Sequence, residues 1–242
     1  MSASQTDVML ATVTNIKDPD NLGRVKCKPV TKDADVAETD WCYCMAPYGG
    51  KGYGVFAHPN VDDLVVLGFL HGEITRPFVI GSLWMGEKKP PYAVESGKNE
   101  ALLVKTPGGV EVRLELTAKK EKITLQTPSG AFFRIDDENK NITVQDKSAK
   151  GSVVMEYGGN ITVTSGDTLT LAAGSNKITI NKSGDIEIKS SKSVKVDSAQ
   201  VDIKAKSALG ASGATVEVKA NASMALKSSG IFEAKGSLMK LN

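Results

Sequence analysis

Few residues in this 242-residue chain could carry chemistry, and they are thinly spread. Cys42 and Cys44 stand two apart, the start of a metal-ligand spacing, with Cys27 as a third thiol and His58 and His71 as the two imidazoles. A structural zinc site needs four ligands, usually two close pairs. The second pair is missing here. On a strand, residues 42 and 44 would share one face, where cysteine packs as a small hydrophobe. Core packing is therefore the expected role of the thiols, and no metal or cofactor is expected. Gly49, Gly50, Gly52 and Gly54 crowd one loop. A phosphate-cradling loop needs Gly-Lys-Ser/Thr opening a helix, and neither that nor a Gly-x-Gly-x-x-Gly in a βαβ setting is present. Asp136, Asp137, Glu138 and Asp185 offer carboxylates, and glycoside hydrolysis uses a pair. They stand among turn residues and read as solvated turns. Two histidines in one loop-rich segment leave no Ser/His/Asp set. Tyr43, Tyr48, Tyr53 and Phe56 near Lys51 resemble the stacking platform of a single-strand nucleic-acid binder. The absence of basic clusters in this half argues against it. No catalytic residue is assigned.

The composition excludes more than it selects. Thirty basic and 28 acidic residues give a net charge of +2, which does not by itself point to nucleic acid or an anionic membrane. Aromatics are 5%, low for a globular enzyme. An odd number of cysteines argues against a disulfide framework. No apolar run reaches the length of a membrane span. Met1 to Thr6 lacks the basic and apolar regions of a signal peptide, so synthesis in the cytoplasm is expected, with export only as part of an assembly.

The elements that must position these residues are strands. In the last half, apolar residues recur as i, i+2 pairs: Ile161/Val163, Leu169/Leu171, Ile178/Ile180, Ile186/Ile188, Val194/Val196, Val201/Ile203, Val216/Val218 and Met224/Leu226. Such a pair puts both side chains on one strand face. These sixteen residues are the expected core of this half of the chain. Gly, Ser, Asn, Asp and Lys fill the spacers, as in "NKSGD" and "KSSKS". A short fixed period marks a solenoid or fibre. The pairs lie about eight residues apart, so one chain could wind at roughly 24 residues per coil. One thin pair per inward position is a meagre filling for that. It suits three chains winding together, with strands paired between chains and no long open edge. A neck over residues 93–120, with strands Ala101–Thr106 and Val110–Leu116, would lead into this prism over residues 121–242.

Residues 1–92 read differently. Val8–Ile16, Arg24–Val30, a strand from Trp41, Leu64–Leu70 and "RPFVIGSLW" are five strands in a short span, as in a small closed barrel of the OB type. "NLGRVKCKP", "TDWCYCMAPYGGKGYG" and "HPNVDDLVVLGFLHGEITRPFVIGSLW" resemble the N-terminal domain of contractile-tail spikes, the family of phage baseplate assembly protein V and the valine-glycine-repeat spike of type VI secretion. Four linked motifs carry the likeness: Trp41 before Ala-Pro47, the Gly52-x-Gly54 loop, the Pro59-x-Val-x-Asp63 turn, and an ending with Gly68, Gly72, Pro77 and Gly81. One departure is Asp62, where the family usually has glycine.

The resemblance implies an all-β homotrimer: an OB barrel followed by an intertwined triple-stranded β-helix needle. It implies a structural, membrane-puncturing spike of a phage tail, tailocin or related injection system, acting in a virion or extracellular particle. A hub would bind the barrel end. A small tip protein of the PAAR type would cap the other end, where Leu238, Met239 and Leu241 make an apolar face. Family spikes often carry a tip histidine pair that holds iron. Both histidines here lie in the barrel, so no tip metal is expected. The competing readings are a β-helical protein that binds or cleaves glycans, and an OB-type single-strand nucleic-acid binder with a fibrous tail.

Overall fold

The computed structural model describes residues 8–31, 36–95 and 97–240. The expectations placed on Met1–Thr6 and on Leu241 lie outside these residues. The chain divides into two compact units, residues 1–169 with 180–185, and residues 170–179 with 186–242. Among the described residues every element is a strand except one 3₁₀ turn, Leu70–Gly72.

The barrel begins with β1 (Val8–Asn15), whose apolar-polar alternation suits a half-buried strand, and returns through β2 (Lys26–Pro29). Then come β3 (Tyr43–Cys44), the small hairpin β4 (Gly49–Gly50) and β5 (Tyr53–Gly54), β6 (Leu64–Phe69) and β7 (Pro77–Ser82). The sheet order is β2-β1-β6-β7-β3, antiparallel except for the parallel β3–β7 pair. The two edges meet through a bridge in which Val25 and Cys42 exchange backbone hydrogen bonds of 3.0 and 2.8 Å. That bridge closes the barrel and satisfies edge groups that would otherwise stay open. Register shifts in the β1–β2 and β6–β7 pairs supply the bends that closure needs. Ala11, Val13, Val25, Cys27, Cys42, Val65, Leu67 and Val79 fill the interior, with Cys44 and Phe69 packed against them.

A long meander follows: β8 (Ala101–Lys105), β9 (Glu111–Glu115), β10 (Lys122–Gln126), β11 (Phe132–Asp136), β12 (Asn141–Gln145), β13 (Ser152–Glu156) and β14 (Ile161–Thr164). Each strand pairs antiparallel with its sequence neighbour, giving one seven-stranded sheet. This differs from the expectation that strands from Ile123 onward pair only with other chains. The turns explain it. Spacers such as Thr127–Gly130 and Asp146–Lys150 close by short backbone hydrogen bonds, and Asp146 also accepts from the Ser148 and Lys150 amides at 3.0 and 3.1 Å. A tight turn returns the chain to the strand it has just left. The expected boundary between neck and spike, at residues 120 and 121, falls in the β9–β10 turn.

The last strands among the described residues are β15 (Thr168–Ala173), β16 (Asn176–Asn181) and β17 (Ile186–Lys189). Residues 190–240 contain no strand within this single chain, although their i, i+2 pairs continue. A strand is defined by a hydrogen-bonded neighbour, and here the chain offers none.

Candidate functional site

The meander registers align fourteen apolar side chains on one face. The first row is Leu102, Leu114, Ile123, Ile135, Ile142, Met155 and Ile161. The second is Val104, Val112, Leu125, Phe133, Val144, Val153 and Val163. Period-2 alternation requires this, because cross-strand partners point the same way. None of the fourteen is buried. The opposite face carries Arg113, Thr124, Arg134 and Thr143 in one cross-strand row, with Glu115, Lys122, Asp136 and Asn141 beside it.

Exposure is therefore inverted. Thr124 and Asp136, on the polar face, are 8% and 3% exposed, whereas Ile123 and Leu125, on the apolar face, are 39% and 45% exposed. The same inversion recurs in β16, where Ile178 and Ile180 are exposed and the Thr179 hydroxyl between them is buried without a partner. Fully burying one such apolar side chain contributes about 1.5–3 kcal/mol. A folded chain that leaves two such rows half-covered or open has an unfilled apolar face rather than scattered exposed residues.

The sixteen residues expected to form a spike core are not buried within the single chain. Leu169 alone is half-buried. Ile161 and Val163 on β14, Leu171 on β15, Ile178 and Ile180 on β16, and Ile186 and Ile188 on β17 are all exposed. So are Val194, Val196, Val201, Ile203, Val216, Val218, Met224 and Leu226, which follow the last strand. The expected core is one shared by three chains, and a single chain leaves Leu171, Ile188, Val196 and their companions uncovered. The reason is geometric. The β15–β17 sheet has three strands, and Leu171 and Ile188 have strands beside them yet stay 59% and 58% exposed. Val196 and the later pairs lack even a strand beside them. Any core made by these side chains must be completed from outside the chain. Leu238 and Met239 are likewise exposed, and Leu241 lies outside the described residues.

The barrel motif residues have separate structural reasons. Trp41 lies under two cations, with the Arg24 guanidinium 6.0 Å and the Lys26 ammonium 5.6 Å from its ring. Pro47, Gly52 and Gly54 belong to the exposed loop around the β4–β5 hairpin, where Gly54 has φ +145° and a Cβ would meet the Tyr48 carbonyl oxygen at 2.6 Å. Pro59 is buried beside the turn that Asp63 caps, its Oδ2 accepting from the Asn60 N–H at 2.8 Å. Asp62 has φ +70°, a left-handed conformation that explains why glycine is common at this point of the motif. Gly68 lies under Phe78, whose Cζ would be 2.8 Å from an added Cβ. Gly72 ends the 3₁₀ turn, and Pro77 and Gly81 lie on β7.

Several features escaped the residue patterns. Asp18 organises the β1–β2 connection. It accepts from the backbone N–H of Asp20, Leu22 and Arg24 at 3.1, 2.9 and 3.2 Å, and from the Arg24 side chain at 3.0 and 2.6 Å. The Arg24 guanidinium, aided by those amides, holds the Asp18 carboxyl well below the usual range. An Asp six residues before an Arg, across the Pro-Asp-Asn-Leu-Gly turn, was the available signal. Asp136 departs from the solvated-turn reading. Burial alone would raise its pKa, but donors from Asn139, both at 2.9 Å, and Lys122 at 3.6 Å keep it depressed.

The residues that could have done chemistry are drawn into the scaffold. Cys27 and Cys42 are fully buried, and all three thiols are free. Both ring nitrogens of His58 face carbonyl oxygens, of Pro59 at 3.0 Å and Gly23 at 3.1 Å. His71 sits in the Leu70–Gly72 turn. No group of three or more His, Cys, Asp or Glu side chains is placed to hold a metal among the described residues. No helix among them is long and apolar enough to cross a membrane.

Comparison with known proteins agrees with the barrel geometry. Residues 9–84 match the type VI secretion system/phage-baseplate injector OB domain. The type VI secretion system spike protein VgrG5 of Pseudomonas aeruginosa is 32% identical over 130 residues, covering 50% of this chain and 16% of that protein. The actin cross-linking toxin VgrG1 of Vibrio cholerae is 27% identical over 172 residues, covering 64% of this chain and 16% of its own length. The spike protein VgrG3 of Vibrio cholerae is 27% identical over 135 residues, 53% of this chain and 13% of the relative. The chain thus aligns with about one sixth or less of the curated relatives it matches. The all-β class, the OB barrel and the resemblance to the baseplate V and spike family stand on these matches together with the strand content.

Proposed function

We propose that this chain is a structural central spike of a contractile injection system, acting as a homotrimer with no catalytic step of its own. The observation that carries this reading is the inverted exposure. Fourteen aligned apolar residues on β8–β14 lack full cover, and the apolar pairs from Ile178 onward follow suit. Three copies turned inward would bury these faces around one axis. Leu171, Ile188 and Val196 would gain from neighbouring copies the cover that their own chain withholds.

Residues 190–240 add a second support. Their backbone lacks ladder partners within the chain, and unpaired backbone groups favour strands supplied by neighbouring copies. The intertwined part would then comprise the region after Lys189, while residues 101–164 supply preformed sheets that pack face to face. A molecule joined in this way resists unwinding, since no chain can leave without separating from two others. That property suits a part that transmits force through an envelope.

The barrel end would attach to a separate hub. The exposed Leu238 and Met239 would dock a PAAR-type tip protein at the other end. Truncation after Gly236 should abolish tip binding and leave the trimer intact. The decisive test of the assembly is solution mass by light scattering beside an unheated SDS gel. Three chains of 25.6 kDa make 76.8 kDa. A species of that mass that survives SDS until boiled is the expected result, and a monomer of 25.6 kDa would end this reading.

A further inference from the structure

Val25 and Cys42, whose bridge closes the barrel, are both fully buried. Alternation therefore turns their neighbours Arg24, Lys26, Trp41 and Tyr43 to the outside. There the Arg24 guanidinium serves two rings, 6.0 Å from Trp41 and 5.9 Å from Tyr43. A third ring comes from β7, because the parallel register sets Phe78 beside Tyr43. Trp41, Tyr43 and Phe78 line a cavity of about 450 Å³, to which Met45 adds apolar wall and Asp40 and Arg76 add charge. An apolar cavity of that size with a few polar groups suits a small ligand.

The electrostatics narrow the choice. Arg24 pairs with Asp18 and Asp20 at 2.6 and 2.5 Å, and Lys26 lies 3.3 Å from Glu38. The cations beside the rings are thus neutralised within the chain. Asp40 makes no ion pair among the described residues, and Arg76 has only a 4.0 Å contact with Glu73. Both side chains belong to exposed residues. The cavity wall therefore offers one carboxylate, which only accepts hydrogen bonds, and one guanidinium, which only donates them. A hydroxyl group satisfies either. The face of an aromatic ring is electron-rich and attracts the positive end of a C–H bond. A hexose with all its hydroxyls equatorial meets these demands together, with hydroxyls around its rim and C–H bonds on both faces.

We propose that the cavity of Trp41, Tyr43, Phe78, Asp40 and Arg76 binds a neutral gluco-configured oligosaccharide. Its rings stack on the aromatic side chains, and its hydroxyls donate to Asp40 and accept from Arg76. The site binds without cleaving, since Asp40 is the one carboxylate on the wall and glycoside hydrolysis uses a pair. The contact belongs to the barrel and does not depend on how the apolar rows are covered. Single-stranded nucleic acid is the competing stacking ligand. It fits less well, because its phosphates would face Asp40 while Arg24 and Lys26 already hold carboxylates.

The test titrates cellohexaose into the full chain by isothermal titration calorimetry. Binding should saturate and stay constant as ionic strength rises, because the ligand carries no charge. Trp41→Ala and Tyr43→Ala should each weaken it about tenfold. Asp40→Ala should weaken it about tenfold or more. Tyr43 and Asp40 are exposed, so these two variants keep the test sound if Trp41→Ala fails to fold. Phe56→Ala, which removes an 82% exposed ring that does not line the cavity, should bind as the parent does. Absence of saturable binding, unchanged affinity in Tyr43→Ala and Asp40→Ala, or tighter and salt-sensitive binding to oligothymidylate would each overturn the proposal. Solution mass is measured on the same samples. A trimer that ignores cellohexaose removes the saccharide site and leaves the spike reading standing, whereas a monomer that binds it does the reverse.

Discussion

Replacing Leu125 with Asp separates the two ways of covering the meander face. Leu125 lies within its row, between Val112 and Phe133, and is 45% exposed in the single chain. If the chain works alone, Leu125→Asp is a surface change worth within about 0.5 kcal/mol, and it improves solubility. If three copies turn this face inward, burying the remaining 45% of Leu125 contributes about 0.7–1.4 kcal/mol per chain. Three copies lose about 2–4 kcal/mol from that alone. The aspartate then adds a carboxylate with no cation on its face, which costs several further kcal/mol per copy or forces protonation. The trimer should not form. Light scattering should report 25.6 kDa in place of three chains, and the SDS-resistant band should vanish. The partner control is Gln126→Asp, one residue along, on the opposite face and itself exposed, which should assemble normally. A Leu125→Asp protein that still forms an SDS-resistant trimer with an unchanged melting midpoint would refute the inward-face argument.

Two further predictions concern single residues. Gly68→Ala places a methyl group 2.8 Å from Phe78 Cζ and 3.0 Å from Ile80 Cδ1, so it should destabilise the barrel by about 1–3 kcal/mol, read as a lower denaturant midpoint with unchanged slope. Asp18 and Asp136 both have depressed folded-state pKa values, so their contributions are full above the ordinary carboxyl range near pH 4 and are lost as pH falls through the folded values. Thermal midpoints should therefore drop as pH is lowered below about 4. Asp18→Asn should lower the midpoint at neutral pH and flatten that acid limb, and a variant with the parent's acid limb would contradict the role given to Arg24.

Much of the architecture is legible in residue types alone. Strict alternation in "VEVRLEL" and "NITV" settles which side chains share a face, because the strand period is two whatever the partner. The five barrel strands lie within a few residues of where the patterns put them, since the Pro-Asp-Asn-Leu-Gly turn and apolar runs mark their ends. The linked motifs from Trp41 to Gly81 carried the family likeness, because each reflects a local backbone demand such as the left-handed turn at Asp62.

Other features depended on which groups come together in space. Barrel closure rests on Val25 meeting Cys42, a pairing between residues with no shared local pattern. Asp18 became a buried hub for five donors only because the turn folds Arg24 back over it. Alternation names a strand's faces but not its neighbour, so the hairpin pairing of residues 101–164 was decided by turns that bring adjacent strands together. The exposure of the apolar rows, and of Leu171, Ile188 and Val196 beyond them, likewise belongs to the tertiary level. A side chain's type says that it prefers to be covered, and only the folded chain shows that nothing within it does the covering.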